Sequence, residues 1–368
     1  MPKIILWEEC NAVAANGDPT PSLANKIRTE GGALICAVAN DFAAVARFTV
    51  ELAWSAQSEL PLGLCERVRL RAINLRDSID DFLSQAAKDC DAVGILAPET
   101  DGLLEHRSRI IEEAGGRLLG PDSAWVRLAA DKHQLCEFLR AADVPVPIGG
   151  IVPKSEEQFL EQLYQSQAVW PAIVVKPRAG AGGWGVRILT GEREMRDWHR
   201  ETATGKMLDA WRWERYVPGM PASIAAIGMG SSATGQKHYQ LCPPGEQMLI
   251  YGSRKDISYV GGRIPLGDEL ARRMCELARR ALDCLPPFRG YVGLDLVLAN
   301  SAAGFEDVVI EINPRWTTSY VGLRKLARTN LAEYQYAAVR GQPLPPLEFN
   351  PGKIEFDTNG NARIMNDR

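Results

Sequence analysis

A glycine-rich loop between two apolar runs is the part of the sequence whose residue types and spacing point most directly to chemistry. The loop lies within residues 173–189, and Lys176 stands at the end of the first run. Its glycines are Gly180, Gly182, Gly183 and Gly185. Glycines let backbone N–H groups approach an anion closely and accept positive φ angles, and a lysine adds a positive charge. We therefore predict a β-hairpin that holds the phosphates of a nucleotide, against the alternative of a hairpin tip without a ligand.

Other nucleotide-binding glycine motifs do not fit this loop. The spacing from Gly180 to Gly185 matches the dinucleotide fingerprint, but that motif must open a helix, whereas residues 186–189 read as a strand. A protein kinase also carries its glycine loop on a hairpin, yet the sequence has no His-Arg-Asp or Asp-Phe-Gly element. The P-loop motif is absent as well. The sequence therefore disfavours a dinucleotide-binding motif, a protein kinase and a P-loop protein.

A second group of polar residues lies on two predicted strands further along the chain. Asp295 lies in the run 293–297, and Glu311 and Asn313 lie in the run 308–315. Side chains alternate along a strand, so Glu311 and Asn313 share one face. If the chain folds back near residue 303, Asp295 comes to lie opposite Glu311. The sequence therefore predicts three oxygen donors on one face of a second hairpin.

These three oxygen donors suit Mg²⁺, which takes hard oxygen ligands, retains waters and typically bridges nucleotide phosphates. Two facing carboxylates without a cation would repel each other. The alternative is that Asp295 faces solvent and Glu311 pairs with a nearby lysine or arginine. The glycine loop and the acidic strands support each other, so we predict one site for a nucleotide and Mg²⁺.

The order of these elements, together with the segment Trp213–Gly219, resembles the ATP-grasp superfamily over residues 120–345. The resemblance implies that ATP and Mg²⁺ are cofactors, with Mn²⁺ as a substitute for magnesium. It implies metal ligation by Asp295, Glu311 and Asn313. It also implies phosphate contacts by Lys132, Lys176 and Arg315, of which Lys176 and Arg315 are the catalytic residues. The implied adenine-binding residues, acting chiefly through their backbone, are Glu214, Arg215, Tyr216 and Val217.

The chain departs from the superfamily pattern at the ribose. Many members carry an acidic residue there, but this chain has Pro221, seven residues after Glu214. The resemblance therefore identifies no ribose-binding residue.

Several further segments resemble the tyramine–glutamate ligases of methanofuran-type cofactor synthesis. They include Glu30–Ala33, Ala97–Asp101, Tyr259–Pro265 and Asn313–Tyr320. This resemblance implies an ADP-forming ligase that joins a carboxylate of glutamate to tyramine or a similar primary amine through an acyl phosphate, in methanofuran or methylofuran biosynthesis. Glu99 or Asp101 would orient the amine, unless they only cap the helix that follows.

Other functions stay open from the sequence. One is an ATP-grasp ligase for another amino acid or a pterin-type acceptor. A second is a phosphotransferase or a carboxylase, although a biotin-dependent carboxylase would be longer and the bicarbonate-binding features are not recognisable. A third is a non-catalytic nucleotide-binding scaffold, which the presence of all three metal ligands and both lysines disfavours.

Composition narrows the class of protein. The length of 368 residues predicts two or three lobes. The hydrophobic content of 46% is ample for packed cores. The net charge of −4 disfavours a nucleic-acid binder, and no apolar run could span a bilayer. The eight cysteines show no Cys-x-x-Cys spacing, which indicates reduced thiols. We expect a cytoplasmic enzyme with small-molecule carboxylate and amine substrates, without nucleic acid or membrane partners; the oligomeric state is left open.

The alternation of patterns predicts an α/β (α+β) class, with an ATP-grasp fold preceded by an N-terminal Rossmann-like (pre-ATP-grasp) lobe. The predicted strands of that lobe are Ile4–Trp7, Ala33–Ala39, Val68–Ile73 and Ala92–Ala97. Its predicted helices are Leu23–Glu30, Phe42–Ala56, Arg76–Lys88 and Leu103–Ala114. The predicted domains are the N-terminal lobe 1–120, a central subdomain 121–204 with the glycine hairpin, a C-terminal subdomain 205–345 with the metal site, and a weakly ordered tail 346–368.

Overall fold

Three β-sheets organise the part of the chain that this computed structural model describes. The described part is every residue except 14–20, 60, 62, 75–77, 166–171, 204–207, 232–234, 236, 253–255, 301–303, 305 and 366–368. The first sheet is parallel, whereas the strands of the other two pair antiparallel. This mixture of helices and strands confirms the predicted α/β class.

The N-terminal sheet has the strand order β3-β2-β1-β4, and all its strands are parallel. Its strands are β1 (Lys3–Glu8), β2 (Thr49–Ser55), β3 (Val68–Ile73) and β4 (Ala92–Leu96). The accompanying helices are α1 (Glu9–Ala12), α2 (Pro21–Ala44), α3 (Ile79–Asp89) and α4 (Leu103–Glu113). A parallel sheet flanked by helices is the Rossmann-like arrangement that the sequence predicts.

The predicted strand at 33–39 is wrong, because these residues lie inside α2. Five of them are buried, and the four besides Cys36 lie at positions i, i+1, i+4 and i+5, which is the spacing of one helix face. These four are Leu34, Ile35, Val38 and Ala39. A short apolar run in a buried helix looks the same in composition as a buried strand, so periodicity alone misassigns it.

The predicted helix over Phe42–Ala56 is also wrong. Helix α2 ends at Ala44, and the β-branched and aromatic residues from Thr49 onward form β2. The other helix predictions in this lobe agree with α2, α3 and α4, although Arg76 lies outside the described residues.

The central sheet is antiparallel, with the order β5-β8-β6-β7. Its strands are β5 (Gly149–Ile151), β6 (Ala172–Pro177), β7 (Arg187–Thr190) and β8 (Trp211–Arg215). The neighbouring helices are α5 (Ser123–Ala130), α6 (Lys132–Ala141), α7 (Glu156–Gln165) and α8 (Gly191–Ala203). Strands β6 and β7 form the predicted glycine hairpin. Strand β8 pairs with β6, although the predicted boundary after residue 204 put it with the C-terminal subdomain.

The third sheet has eight strands, in the order β14-β13-β9-β11-β12-β15-β16, with β10 paired to β9. Its strands are β9 (Gly219–Ser231), β10 (Lys237–Leu241), β11 (Gly245–Tyr251), β12 (Ile257–Ile264), β13 (Arg289–Ala299), β14 (Val308–Asn313), β15 (Lys353–Asp357) and β16 (Ala362–Met365). The helices in this part are α9 (Asp268–Cys284), α10 (Tyr320–Leu326) and α11 (Leu331–Val339). In the β13–β14 pair Asp295 lies opposite Glu311, so the predicted register is confirmed.

The segment predicted as a weakly ordered tail forms part of the third sheet. Strand β15 pairs with β12, and β16 pairs with β15. Ile354 and Phe356 alternate along β15, and both are buried in the main core. The prediction was wrong because it relied on the proline and asparagine content of the flanking loops, which does not report the period-two burial of a short strand.

We expect Phe356→Ala to lower the free energy of unfolding by roughly 3–5 kcal/mol, since it removes a fully buried aromatic ring and leaves a cavity. The matched control is Ile364→Ala on the adjacent strand β16, because the Ile364 side chain is 74% exposed. The control should change the stability by less than about 0.5 kcal/mol. Urea denaturation of both variants measures the difference. Equal stability of the two variants would show that β15 does not belong to the core.

One hydrophobic core connects the N-terminal sheet to the third sheet. Trp316 packs so closely on β4 that a Cβ atom at Gly94 would lie 2.6 Å from the Trp316 ring. The indole Nε1 of Trp316 also donates a 2.8 Å hydrogen bond to Gln335 Oε1. This packing holds the neighbouring Arg315 in a defined position relative to the N-terminal lobe.

Candidate active site

A cavity of about 250 Å³ lies where the central sheet faces the third sheet, with α2 of the N-terminal lobe at one side. The sequence-predicted residues that line it are Lys132, Lys176, Gly180, Gly182, Gly183, Glu214, Arg215, Tyr216, Val217, Asp295, Glu311, Asn313 and Arg315. These residues come from distant parts of the sequence, so the fold brings the separate predicted motifs to one place.

The glycine loop connects β6 to β7 and lines this cavity. Gly182, Gly183 and Gly185 have φ angles of 67°, 72° and 75°, in the left-handed region that favours glycine. A Cβ atom at Gly185 would also lie 3.0 Å from the Trp211 ring. The expected positive φ angles are therefore present, whereas Gly185, which packs on Trp211, is not among the residues that line the cavity.

Lys176 reaches the cavity from the end of β6 and is almost fully buried. Its Nζ lies 2.7 Å from Glu214 Oε1, but this contact lacks hydrogen-bond geometry, and Nζ has no hydrogen-bond partner among the described residues. The other carboxylate oxygen of Glu214 lies 3.2 Å from Nε of the fully buried Arg212. The lysine is therefore held in place by one charge contact, and its N–H groups remain available to an anion.

The Glu214 carboxylate has a role that the sequence did not indicate. The resemblance predicts adenine contacts through the backbone of residues 214–217, whereas the side chain of Glu214 lies between Lys176 and Arg212. The backbone N–H groups of Arg215 and Tyr216 donate to the carbonyls of Ile148 and Ala172. The remaining backbone groups of this segment, which lines the cavity, stay the candidates for base recognition.

Lys132 connects the glycine loop to the acidic strands. It is the first residue of α6, which Asp131 caps by accepting hydrogen bonds from two backbone N–H groups. Lys132 Nζ donates a 2.9 Å hydrogen bond to the carbonyl of Gly180 and lies 3.1 Å from Glu311 Oε2. Burial would lower the pKa of Lys132, but the Glu311 carboxylate raises it above the ordinary lysine value. The ammonium therefore stays charged beside the loop.

The acidic strands bring Asp295, Glu311 and Asn313 together on one face. The amide Nδ2 of Asn313 donates to Asp295 Oδ2 at 3.1 Å, and Nε2 of Gln247 donates to Asp295 Oδ1 at 2.9 Å. Burial and the negative charge of Glu311 raise the pKa of Asp295 well above its ordinary value. Burial would also raise the pKa of Glu311, but the charges of Lys132 and Lys176 lower it to about 2.

This donor set fits Mg²⁺. The carboxyl groups of Asp295 and Glu311 are close enough to share a proton, and a divalent cation between them would replace that proton and remove their repulsion. The described residues contain no group of three or more His, Cys, Asp or Glu that could hold a metal. A site with two carboxylates and one amide leaves coordination positions for water and phosphate oxygens, as Mg²⁺ requires.

Arg315 lies on the N-terminal side of the cavity, in a buried ion pair with Glu99. Its Nε and Nη2 donate to the two carboxylate oxygens of Glu99 at 2.8 and 3.3 Å. Burial would lower the pKa of Arg315, but the Glu99 carboxylate raises it above the ordinary arginine value. The bidentate contact fixes the guanidinium at the cavity edge, where its remaining N–H groups can contact an anion.

This pairing corrects the sequence-based role of the segment 97–101. Glu99 or Asp101 was expected to orient an amine, but Glu99 is buried and already binds Arg315. Asp101 is exposed in a turn with φ 53° and does not line the cavity. Pro221 lines the cavity, so this position offers no acidic side chain there.

Several cavity residues carried no chemical motif of their own. Glu30, Ser223, Gln247, Tyr259, Thr317, Thr318 and Ser319 all line the cavity. Part of the signal was present, because Glu30, Tyr259 and the residues 317–319 lie in the segments that resemble amine ligases. Gln247 and Ser223 lie on strands whose sequences look like ordinary sheet, so only the fold reveals them.

Comparison with known sequences identifies two matching family profiles. The ATP-grasp domain profile matches residues 129–319, just over half of the 368 residues, and the pre ATP-grasp 3 domain profile matches residues 52–126. Pyruvate carboxylase of Bacillus subtilis (strain 168) is 24% identical over 264 residues, or 70% of this chain and 22% of that protein. The chain thus spans about a fifth of the length of this curated relative.

Solved structures share the fold over nearly the whole chain. An ATP-grasp superfamily protein from Archaeoglobus fulgidus is 20% identical with a TM-score of 0.65, over 96% of this chain and 92% of that one. The biotin carboxylase domain of Hydrogenobacter thermophilus 2-oxoglutarate carboxylase, bound to MgADP, ADP and bicarbonate, is 16% identical with a TM-score of 0.70, over 96% and 73%. N5-carboxyaminoimidazole synthetase of Staphylococcus aureus, bound to ADP, is 14% identical with a TM-score of 0.69, over 96% and 81%. In the described part of this chain, no helix is both long and apolar enough to cross a membrane.

Proposed function

The chain belongs to the ATP-grasp domain family, and on this basis we propose that it is a ligase that uses ATP and Mg²⁺ to join a carboxylate to an amine through an acyl phosphate. The products would be the amide, ADP and phosphate. The predicted cofactors, ATP and Mg²⁺, agree with the MgADP bound to the biotin carboxylase relative.

One observation carries the proposal: two buried lysines, two facing carboxylates and a fixed arginine line a single cavity beneath a glycine loop. Phosphoryl transfer needs positive groups around the phosphate oxygens, since charge spreads over them in the transition state. The positive groups are Lys132, Lys176 and Arg315. Such a constellation needs no side-chain nucleophile, which suits direct attack by a substrate carboxylate.

The first step would place a substrate carboxylate oxygen against the γ-phosphorus of ATP. A new P–O bond forms to the carboxylate as the bond to the ADP oxygen breaks, and Lys132 and Lys176 stabilise the developing charge. Asp295, Glu311 and Asn313 would hold Mg²⁺, which when bound would neutralise negative charge on the phosphates. The glycine loop would exclude water that otherwise hydrolyses the acyl phosphate.

The second step would be attack of an amine nitrogen on the acyl carbon. The C–O bond to phosphate breaks, phosphate leaves with the bonding electrons, and the nitrogen loses a proton. Arg315 lies at the cavity edge on the N-terminal side, where it can contact the departing phosphate.

The substrates we propose are glutamate as the acid and tyramine or a similar primary amine, in methanofuran or methylofuran biosynthesis. The support is the sequence resemblance of the segments Glu30–Ala33, Tyr259–Pro265 and Asn313–Tyr320, all of which contribute residues to the cavity. A ligase for another amino acid or a pterin-type acceptor would use the same activation chemistry. A carboxylase is the second candidate, because a structural relative binds bicarbonate, which is itself an acid that ATP can phosphorylate.

We expect incubation with ATP, Mg²⁺, glutamate and tyramine to yield ADP, phosphate and an amide at the γ-carboxyl of glutamate. Activation as an acyl phosphate releases ADP, whereas adenylation would release AMP and pyrophosphate. Hydroxylamine should trap the activated acid as a hydroxamate. Nucleotide products are separated by chromatography, and the amide is identified by mass spectrometry.

The same assay separates the competing functions. Formation of AMP would refute the acyl-phosphate mechanism. ADP release that depends on bicarbonate and is unaffected by amines would indicate a carboxylase. ADP release with a different acid or amine would keep the mechanism and change the substrates. Absence of nucleotide turnover with a broad panel of acids and amines, despite ATP binding, would indicate a non-catalytic protein.

A further inference from the structure

A carboxylate from the N-terminal lobe lines the cavity without a positively charged partner. Glu30 lies in α2, and its Oε1 accepts a hydrogen bond from the Thr318 hydroxyl. This contact joins residues 288 positions apart in the sequence. Among the residues that the structure describes, no lysine, arginine or histidine forms an ion pair with Glu30. The carboxylate therefore retains unused acceptor capacity inside the cavity.

The positive groups of the cavity differ from Glu30 in this respect. Each positive side chain that lines the cavity already has a carboxylate within 3.9 Å: Lys132 has Glu311, Lys176 has Glu214, Arg215 has Glu306 and Arg315 has Glu99. None of these ion pairs includes Glu30, so Glu30 adds a further negative charge to the cavity lining. A negative charge in a restricted cavity favours a cationic ligand.

The contacts of Glu30 place this charge beside Thr318, at the side of the cavity lined by residues 315 and 317–319. Burial and then the negative charge of Glu30 raise the pKa of Tyr259 well above its ordinary value, so this phenol stays neutral. The hydrogen bond from Thr318 places the Glu30 carboxylate beside the segment that follows Arg315. Glu30 therefore lies on the side of the cavity that is lined by residues 315 and 317–319.

We propose that Glu30 binds the primary ammonium group of a substrate, at the end of the cavity formed by α2 and the residues 315–319. An ammonium has three N–H donors. A charge-assisted hydrogen bond to the Glu30 carboxylate would hold it on the same side of the cavity as Arg315, which we propose contacts the departing phosphate. The proposal rests on the ligase function above and adds the residue that selects a cationic substrate. The ammonium can belong to the acceptor amine or to the α-amino group of an amino-acid donor, which have the same chemistry.

The test compares nucleophiles of different charge in wild type and Glu30→Gln. Each enzyme receives ATP, Mg²⁺ and glutamate, with either tyramine, which is a cation at neutral pH, or hydroxylamine, which is uncharged. We expect the ratio of kcat/KM for tyramine to that for hydroxylamine to fall roughly 10- to 100-fold in Glu30→Gln. Glu30→Asp, which keeps the charge, should fall less. The control Glu269→Gln, at an exposed position in α9, should leave the ratio unchanged.

A second arm identifies the source of the ammonium. In the hydroxylamine assay, the KM of glutamate is compared with that of glutarate, which lacks the α-amino group. A KM that rises about tenfold for glutamate alone in Glu30→Gln would place the donor ammonium at Glu30 and also support the proposal. Equal losses for all acids and both nucleophiles would overturn it, because a merely structural role would affect every substrate alike.

Failure of the ligase function would be recognised separately, by wild-type enzyme that forms no hydroxamate with any acid tested. Calorimetry with MgADP present then decides the proposal, using tyramine and its uncharged alcohol analogue tyrosol. Wild type that binds tyramine at least about tenfold more tightly than Glu30→Gln, with no such difference for tyrosol, supports ammonium binding at Glu30. Equal affinities of the two proteins for tyramine would overturn it.

Discussion

Glu311→Gln is expected to reduce ATP turnover by roughly 1,000-fold while the protein stays folded. The loss corresponds to about 4 kcal/mol of charge stabilisation, a reasonable value for a weakened metal site at a transferring phosphoryl group. The substitution keeps the shape of the side chain and lies in β14, at a position that lines the cavity. Lys132 keeps its hydrogen bond to the Gly180 carbonyl, so the loop retains its anchor. Turnover is measured as ADP release, and folding by circular dichroism during thermal unfolding.

Asp295→Asn distinguishes a metal site from a simple ion pair. If Glu311 only paired with Lys132, the loss of charge at Asp295 would have little effect on activity. If the two carboxylates hold Mg²⁺, both variants should need much higher Mg²⁺ concentrations for half-maximal turnover. Glu276→Gln, at an exposed position on α9, is the control and should behave like wild type. Near-normal Mg²⁺ dependence in both active-site variants would refute the metal assignment.

The parts of the site that the sequence predicts are those written in short local patterns. Positive φ angles leave a visible trace as closely spaced glycines, and Gly182 and Gly183 show them. Strand alternation has a fixed period, so the sequence alone predicts that Asp295 lies opposite Glu311, as the register of β13 and β14 confirms. Both inferences depend on the order of neighbouring residues along the chain. Backbone periodicity dominates over such short ranges.

The parts that the sequence did not predict depend on contacts between distant segments. The sequence predicts a helix over 23–30, a strand over 33–39 and a second helix from residue 42, whereas residues 21–44 form the single helix α2, because a short apolar run in a buried helix resembles a buried strand. The ion pair between Glu99 and Arg315 joins residues 216 positions apart, and it changes the expected role of Glu99. Such contacts are decided by how the N-terminal sheet packs on the third sheet, which no local pattern records.

Lys176→Met should lower kcat/KM for ATP by roughly 100- to 1,000-fold, the range expected for removal of one donor directed at a developing negative charge. Methionine has a similar length and no charge, and the buried Glu214 keeps Arg212 as its partner. The fold should therefore survive. Lys154→Met, at an exposed position, is the control and should leave the rate unchanged. Equal losses in both variants would place the phosphate site elsewhere.

The double variant Lys176→Met, Glu214→Gln separates the two roles that this lysine could have. If Lys176 only neutralised Glu214, removal of both charges together would restore activity lost in the single variant, because no excess charge would be left at Glu214 and the amide oxygen of Glu214→Gln could still accept the hydrogen bond from Arg212. If Lys176 donates to phosphate, the double variant should stay as inactive as Lys176→Met, since the missing donor is still missing. The Nζ atom has a charge partner but no hydrogen-bond acceptor among the described residues, so we expect no recovery. Recovery to within about threefold of wild type would instead make Lys176 a structural residue.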